Sequence, residues 1–167
     1  MRQKVIIIIL SALTIVFAIS SLIVTSKASA QQLPPFKVVG KYETAISIVV
    51  PPQTTKEQLK ALIYEFRKAK NENTLSKMIP ATTPGGAYGN YAIVWIFVFS
   101  EPSWASTDKL QKFINVSLKR PSDIKFSKEY ARHVRAEYYY AAIEEYGSIG
   151  YDDDITSIRT KEYKKLF

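Results

Sequence analysis

The sequence predicts an α+β (or small α/β) fold in the order β(β)αβαα, with a small mixed sheet covered by helices on both faces. The stretch Tyr91 to Phe99 is the most hydrophobic segment after residue 30, and it lacks the polar alternation of a half-exposed strand. A strand-like segment and an amphipathic helix precede it. The order strand, helix, strand favours a right-handed crossover between parallel strands. We therefore expect residues 91–99 to form the central strand.

The first elements are predicted between Phe36 and Val50, where β-branched and aromatic residues dominate. Gly40 interrupts this run, so it indicates either one strand bent at the glycine or two short strands. Pro51 and Pro52 end the segment, because proline cannot donate a hydrogen bond to a neighbouring strand.

An amphipathic helix follows. Thr54 and Glu57 fit a capping box, with Thr54 as N-cap and Glu57 at the third helical position. The helix fades near Asn71, and the prolines and glycines between residues 74 and 90 predict a loop. Its glycine-containing part, Thr82 to Asn90, is expected to be a flexible connection. The apolar residues that place one helix face on the core are Leu59, Leu62, Ile63 and Phe66.

Two helices are predicted after the central strand. The first begins at Thr107 or Asp108 and is broken by Pro121. The second is capped by Ser122 or Ser127, continues to about Tyr146 and stops at Gly147, since glycine commonly follows a helix C-terminus. Trp95, in the middle of the central strand, is expected in the core.

The N-terminus carries an export signature. Arg2 and Lys4 precede an uncharged, mainly apolar run from Val5 to Val24, and Ala28-Ser29-Ala30 follows it. This pattern predicts a secretory signal peptide over residues 1–30, so that a single exported globular domain comprises residues 31–167. The run is also long enough to span a bilayer. The alternative is an uncleaved N-terminal anchor that holds the domain outside the cytoplasm.

Composition narrows the function classes. The chain has no cysteine, which excludes disulfides, thiol catalysis and cysteine-ligated clusters, and no motif predicts a cofactor. Of its 23 Lys and Arg, three lie in the leader, so residues 31–167 carry 20 basic against 15 acidic side chains. This balance favours anionic neighbours such as acidic envelope polymers, lipid headgroups or acidic proteins. The alternative is that the excess is ordinary charge that keeps the surface solvated. Export argues against nucleic acid as a partner.

The single histidine is the first candidate site. His133 and Glu137 would be i, i+4 on the predicted last helix and could touch. A carboxylate beside an imidazole could tune a general base or supply two metal ligands. The simpler interpretation is a structural His–Glu hydrogen bond, because neither a nucleophile nor a third ligand accompanies the pair.

Tyrosines supply the second candidate. Tyr138, Tyr139 and Tyr140 are consecutive on the predicted helix, and cannot all face one core. Tyr138 is expected to pack, whereas Tyr139 or Tyr140 would face a groove together with Arg135. Tyrosine suits recognition of sugars or peptides, and the Arg135 guanidinium could hold an anionic group. The alternative is that all of them serve helix packing.

Trp104 and an acidic stretch supply two further candidates. Trp104 follows the central strand and could line a pocket at its carboxyl end or cover the sheet. Asp152 and Asp154 belong to an acidic stretch that could bind Ca²⁺, but the spacing fails the EF-hand pattern and a capped turn explains the stretch as well.

These observations favour an exported binding or interaction protein of the envelope or extracellular space. It would recognise an envelope component or a protein partner through Arg135, Tyr139, Tyr140 and Trp104. The alternatives are a small extracytoplasmic hydrolase that uses His133 with Glu137, and an anchored accessory subunit.

Overall fold

The computed structural model of the protein describes residues 32–116, 120–153 and 158–167. The predicted leader, residues 1–30, and the candidate ligand Asp154 lie outside the described residues. The remaining predictions can be compared directly with the structure.

A mixed sheet organises the described chain. Six strands follow the order β1-β2-β3-β4-β5-β8; β2 and β3 run parallel, and all other neighbours are antiparallel. β6 and β7 form a separate two-stranded sheet. The strands are β1 (Lys37–Tyr42), β2 (Ala45–Val49), β3 (Val94–Phe99), β4 (Ala136–Ala141), β5 (Glu144–Ile149), β6 (Asp152–Asp153), β7 (Ile158–Arg159) and β8 (Lys164–Lys165), and the helices are α1 (Lys56–Asn71), a 3-10 turn (Leu75–Lys77), α2 (Thr107–Ile114) and α3 (Pro121–His133).

The predicted α+β class with a small mixed sheet is confirmed. β3 is an inner strand with helices on both faces, and its side chains alternate between two cores. Val94, Ile96 and Val98 pack with the apolar face of α1. Phe97 and Phe99 pack with α2 and α3 on the opposite face. This double burial explains why the β3 sequence shows no polar alternation.

Trp95 was predicted in the core, but the structure buries it only in part. It is half-buried at the margin of the α2–α3 side of the sheet, where its ring contacts Phe97 and Tyr139. Its position near the amino end of β3 leaves one part of the indole accessible.

The predicted last helix is wrong beyond His133. α3 ends there, Val134 is extended (φ −73°, ψ 118°), and the chain continues as the hairpin of β4 and β5 instead of reaching Tyr146. β4 pairs with β3 on one side and β5 on the other. An inner strand such as β3 has backbone donors and acceptors on both edges that need partners, and β4 supplies them on one edge.

Smaller boundaries also differ from the predictions. The N-cap of α1 is Thr55 rather than Thr54, and its capping box uses Gln58 rather than Glu57. The first segment forms two strands, which was one of the two predicted alternatives. The chain turns between them at Glu43 (φ 49°) and not at Gly40. Gly40 lies at an irregularity in the β1–β2 register.

None of the helices in the described part of the chain is long and apolar enough to span a membrane.

Candidate functional site

Tyr139 and Tyr140 are adjacent on β4 and belong to different faces of the sheet. Tyr139 lies on the α2–α3 side, with ring-centre distances of 5.7 Å to Trp95 and 5.2 Å to Tyr146. Tyr140 lies on the α1 side, where it packs against the core beneath that helix. Both side chains are half-buried, whereas Tyr138 is fully buried. Tyr138 therefore packs as predicted, although strand alternation rather than helix geometry separates the three side chains.

Arg135 is occupied by structural contacts. Its guanidinium donates to the Thr54 carbonyl at 2.7 Å, to Ser100 Oγ at 2.6 Å and to the Pro52 carbonyl at 3.2 Å. These bonds join the loop after β2 to the end of β3, so a predicted ligand residue holds two connections together instead of facing the groove with Tyr139 or Tyr140.

Trp104 covers the core on the α2–α3 side. Its ring stacks on the His133 imidazole at 4.1 Å and 12°, and the Lys109 ammonium lies 3.6 Å from the ring centre. The indole also contacts the buried ring of Tyr130 at 6.4 Å. These contacts favour the covering role that the sequence left open for Trp104.

The predicted contact between His133 and Glu137 is wrong, because α3 ends before Glu137. His133 Nδ1 lies 3.0 Å from Glu101 Oε1, and Nε2 lies 3.5 Å from Glu129 Oε1. Glu137 belongs to β4 and has different partners. The two side chains that the hydrolase hypothesis combined therefore lie in separate hydrogen-bonding networks.

Glu137 is a buried carboxyl group in the sheet. Its Oε2 accepts a 3.2 Å bond from Trp95 Nε1, and its Oε1 accepts a 3.1 Å bond from Ser148 Oγ. Burial raises the pKa of Glu137 to about 8, although the bonds from Trp95, Ser148 and the Asp152 backbone oppose that shift. The Glu137 carboxyl is therefore mainly protonated at neutral pH.

Asp152 has a structural partner as well. Arg159 donates to both of its carboxylate oxygens, at 2.9 and 2.7 Å, across the β6–β7 pair. Within residues 32–116, 120–153 and 158–167, no group of three or more His, Asp or Glu side chains is placed to hold a metal ion.

One concave site with several polar side chains in its lining involves Tyr140. A cleft of about 410 Å³ lies where the end of α1, the 3-10 turn, the loop before β3 and the β4–β5 hairpin meet. Its size falls in the usual range of ligand pockets, about 300–1,000 Å³. We call it the Lys70–Tyr140 cleft; it is lined by Lys70, Asn73, Leu75, Ser76, Tyr88, Gly89, Asn90, Tyr91, Ala92, Tyr140 and Ala142.

Lys70 gives the cleft its charge. It lies in the last turn of α1, and its ammonium nitrogen is 3.7 Å from the centre of the Tyr140 ring. A cation over an aromatic face is attracted by the ring quadrupole. Among the ion pairs of the described chain, none involves Lys70. The ammonium group is held in place and can still pair with an anion.

The loop that forms one wall of the cleft is ordered by its own hydrogen bonds. Thr82 and Thr83 donate from their backbone amides to the Asn90 carbonyl, and Thr83 Oγ1 accepts from the Ala92 amide. The Tyr91 hydroxyl donates to the Ile79 carbonyl at 2.7 Å. The loop predicted as a connection is therefore closed on itself by hydrogen bonds between its two ends.

Sequence reasoning named Tyr140 but missed the other cleft residues. Lys70 was one of several charges on the outer face of a helix, and no spacing connects it to Tyr140. The loop offered the clearest overlooked signal, since tyrosine, asparagine and glycine together are typical of adaptable binding surfaces. Tyr88, which is 87% exposed, belongs to that loop.

No protein-family model, curated protein or solved structure matches this chain.

Proposed function

We propose that this protein is an exported binding protein of the cell envelope or extracellular space, and that the Lys70–Tyr140 cleft binds an anionic saccharide of an envelope polymer. The export signature of residues 1–30 supports the location, with cleavage after Ala30 or retention as an anchor as the two routes. The observation that carries the ligand proposal is the Lys70 ammonium, fixed 3.7 Å from the Tyr140 ring and without a carboxylate partner in the described chain.

The rest of the cleft supports a saccharide. Tyr140 and Tyr88 bring rings with polar tips, which suit the apolar faces and hydroxyl groups of a sugar. Tyr91 adds its ring, while its hydroxyl is bonded to the Ile79 carbonyl. Asn73 and Asn90 bring amide side chains that can both donate and accept hydrogen bonds. A carboxylate on the sugar would pair with the Lys70 ammonium, which forms a charge-assisted bond.

The net charge acts in the same direction. The excess of basic residues after residue 30 favours approach to polyanions. The hydrolase alternative has no comparable support, because His133 and Glu137 bind different partners.

An NMR titration tests this proposal. The probe is a galacturonic acid trimer, added to protein that is purified after export of the full chain. We expect saturable shifts of backbone amides around residues 70–76 and 88–92, and much weaker shifts with the methyl-esterified trimer, which has the same sugar rings but no carboxylates. Equal shifts with both trimers, or shifts confined to other surfaces, would contradict the proposal.

A further inference from the structure

A second pocket lies on the other face of the sheet, away from the Lys70–Tyr140 cleft. It has a volume of about 320 Å³ and opens between β3, β4, the end of α2 and the middle of α3. Trp95 and Tyr139 form one wall, with their rings edge to face at 5.7 Å and 77°. Phe113 and Tyr151 form another, at 5.7 Å and 73°. We call it the Trp95–Tyr139 pocket.

Ser127 is a polar residue of this otherwise mainly apolar and aromatic lining. It lines the pocket from α3, the residue is fully buried, and its hydroxyl has no hydrogen-bond partner among the described residues. A buried hydroxyl without a partner is unfavourable, and nearly all such groups in folded proteins are paired. A ligand that supplies the missing partner would gain this bond in addition to its contacts with the rings.

The uncharged lining of the pocket favours an uncharged ligand. Every described side chain that lines the pocket is uncharged. One lining residue, Trp95, donates a hydrogen bond from Nε1 to the carboxyl group of Glu137, which is itself buried. An anion would lose its hydration without gaining a cationic partner among the described lining residues, which is costly.

We propose that the Trp95–Tyr139 pocket is a second binding site, for an uncharged aromatic molecule that carries a hydroxyl group. Its ring packs against Trp95 and Tyr139, and its hydroxyl exchanges a hydrogen bond with Ser127. This site is independent of the saccharide cleft, because its lining residues lie on the opposite side of β4.

Three small probes separate the contributions of the ring, the hydroxyl group and the charge: toluene, benzyl alcohol and benzoate. Binding is followed by the NMR signal of the Trp95 indole N–H in the exported protein, identified by its persistence in Trp104→Phe. We expect saturable binding of benzyl alcohol about threefold to tenfold tighter than that of toluene, the difference that one net hydrogen bond provides. Benzoate should bind more weakly than either.

Two matched serine variants test the hydroxyl. Ser127→Ala should bind toluene as the parent does but lose the preference for benzyl alcohol. Ser122→Ala removes an exposed serine from the same helix and should change nothing. Equal affinities for benzyl alcohol and toluene in the parent, retained preference in Ser127→Ala, tight benzoate binding, or an unmoved Trp95 signal would each overturn the proposal. None of these results bears on the galacturonate titration, which reports on the other face.

Discussion

The Lys70 ammonium nitrogen lies 3.7 Å from the centre of the Tyr140 ring, although the two residues belong to different elements. Lys70 lies in the last turn of α1 and Tyr140 lies near the end of β4, so only the packing of that helix on the sheet brings them together. This pair turns a cleft of tyrosine and asparagine side chains into a site with a fixed positive charge.

Two fully buried tyrosines allow a test of hydrogen bonding in the two cores. The Tyr138 hydroxyl donates to Glu145 Oε1 at 3.0 Å, whereas the Tyr130 hydroxyl has no partner among the described residues. We expect Tyr138→Phe to lower the free energy of unfolding by about 1.5–3 kcal/mol, because it removes a bond to a carboxylate. Tyr130→Phe should be neutral or stabilising. Urea unfolding measures both, and a larger loss for Tyr130→Phe would contradict the assigned partners.

Glu137 should make stability depend on pH. Its pKa is raised from 4.5 to about 8 in the folded protein, so folding favours the protonated form. The stabilising contribution of Glu137 is therefore fully present below about pH 4.5, falls as pH rises, and is lost above about pH 8. One pKa unit corresponds to about 1.4 kcal/mol, so the fall should amount to a few kcal/mol.

Glu137→Gln keeps a side chain of similar shape but cannot ionise. We expect the difference in unfolding free energy between pH 5 and pH 9 to shrink by a few kcal/mol in this variant, as measured by urea unfolding at each pH. Glu144→Gln, at an exposed site on β5, is the matched control. An unchanged pH dependence in Glu137→Gln would show that the carboxyl is ionised throughout this range.

The leader prediction is tested by the mass of the exported protein. We expect a processed chain that begins at Gln31, because Ala28-Ser29-Ala30 follows the apolar run. Intact-mass spectrometry of the secreted or periplasmic fraction measures this directly. A full-length chain in the membrane fraction would instead support the anchor alternative.

Much of the fold could be predicted because its signals are local. The apolar spacing of α1 and the continuous hydrophobic run that contains β3 each appear within a few residues. The segment from Val134 to Ala141 continues the apolar helical spacing that begins at Tyr130, so the sequence predicts a helix there. Aromatic residues also favour strands. The choice of a strand over a helix is decided by β3, whose edge needs hydrogen-bond partners that β4 supplies, and no local sequence pattern reveals that need.

The sites were less predictable because they depend on contacts between residues that are distant in the sequence. Tyr139 and Tyr140 were expected to differ from Tyr138, and they do, but strand geometry places them in two pockets on opposite faces. Arg135 and Trp104 attract attention in the sequence because of their chemistry. In the structure their polar atoms and ring faces contact the protein itself.

The most direct test of the account is the affinity of the exported protein for the galacturonic acid trimer, measured by calorimetry in Lys70→Gln and in its control Lys68→Gln. Lys68 is exposed on the same helix and does not line the cleft. We predict a fivefold to tenfold loss for Lys70→Gln, about 1–1.4 kcal/mol, as expected for one partly exposed charge-assisted bond. Lys68→Gln should retain the parent affinity, and esterifying the trimer should cost the Lys70→Gln variant nothing further. Equal losses in the two variants, or no loss in either, would contradict the assignment of the Lys70–Tyr140 cleft as the anionic ligand site.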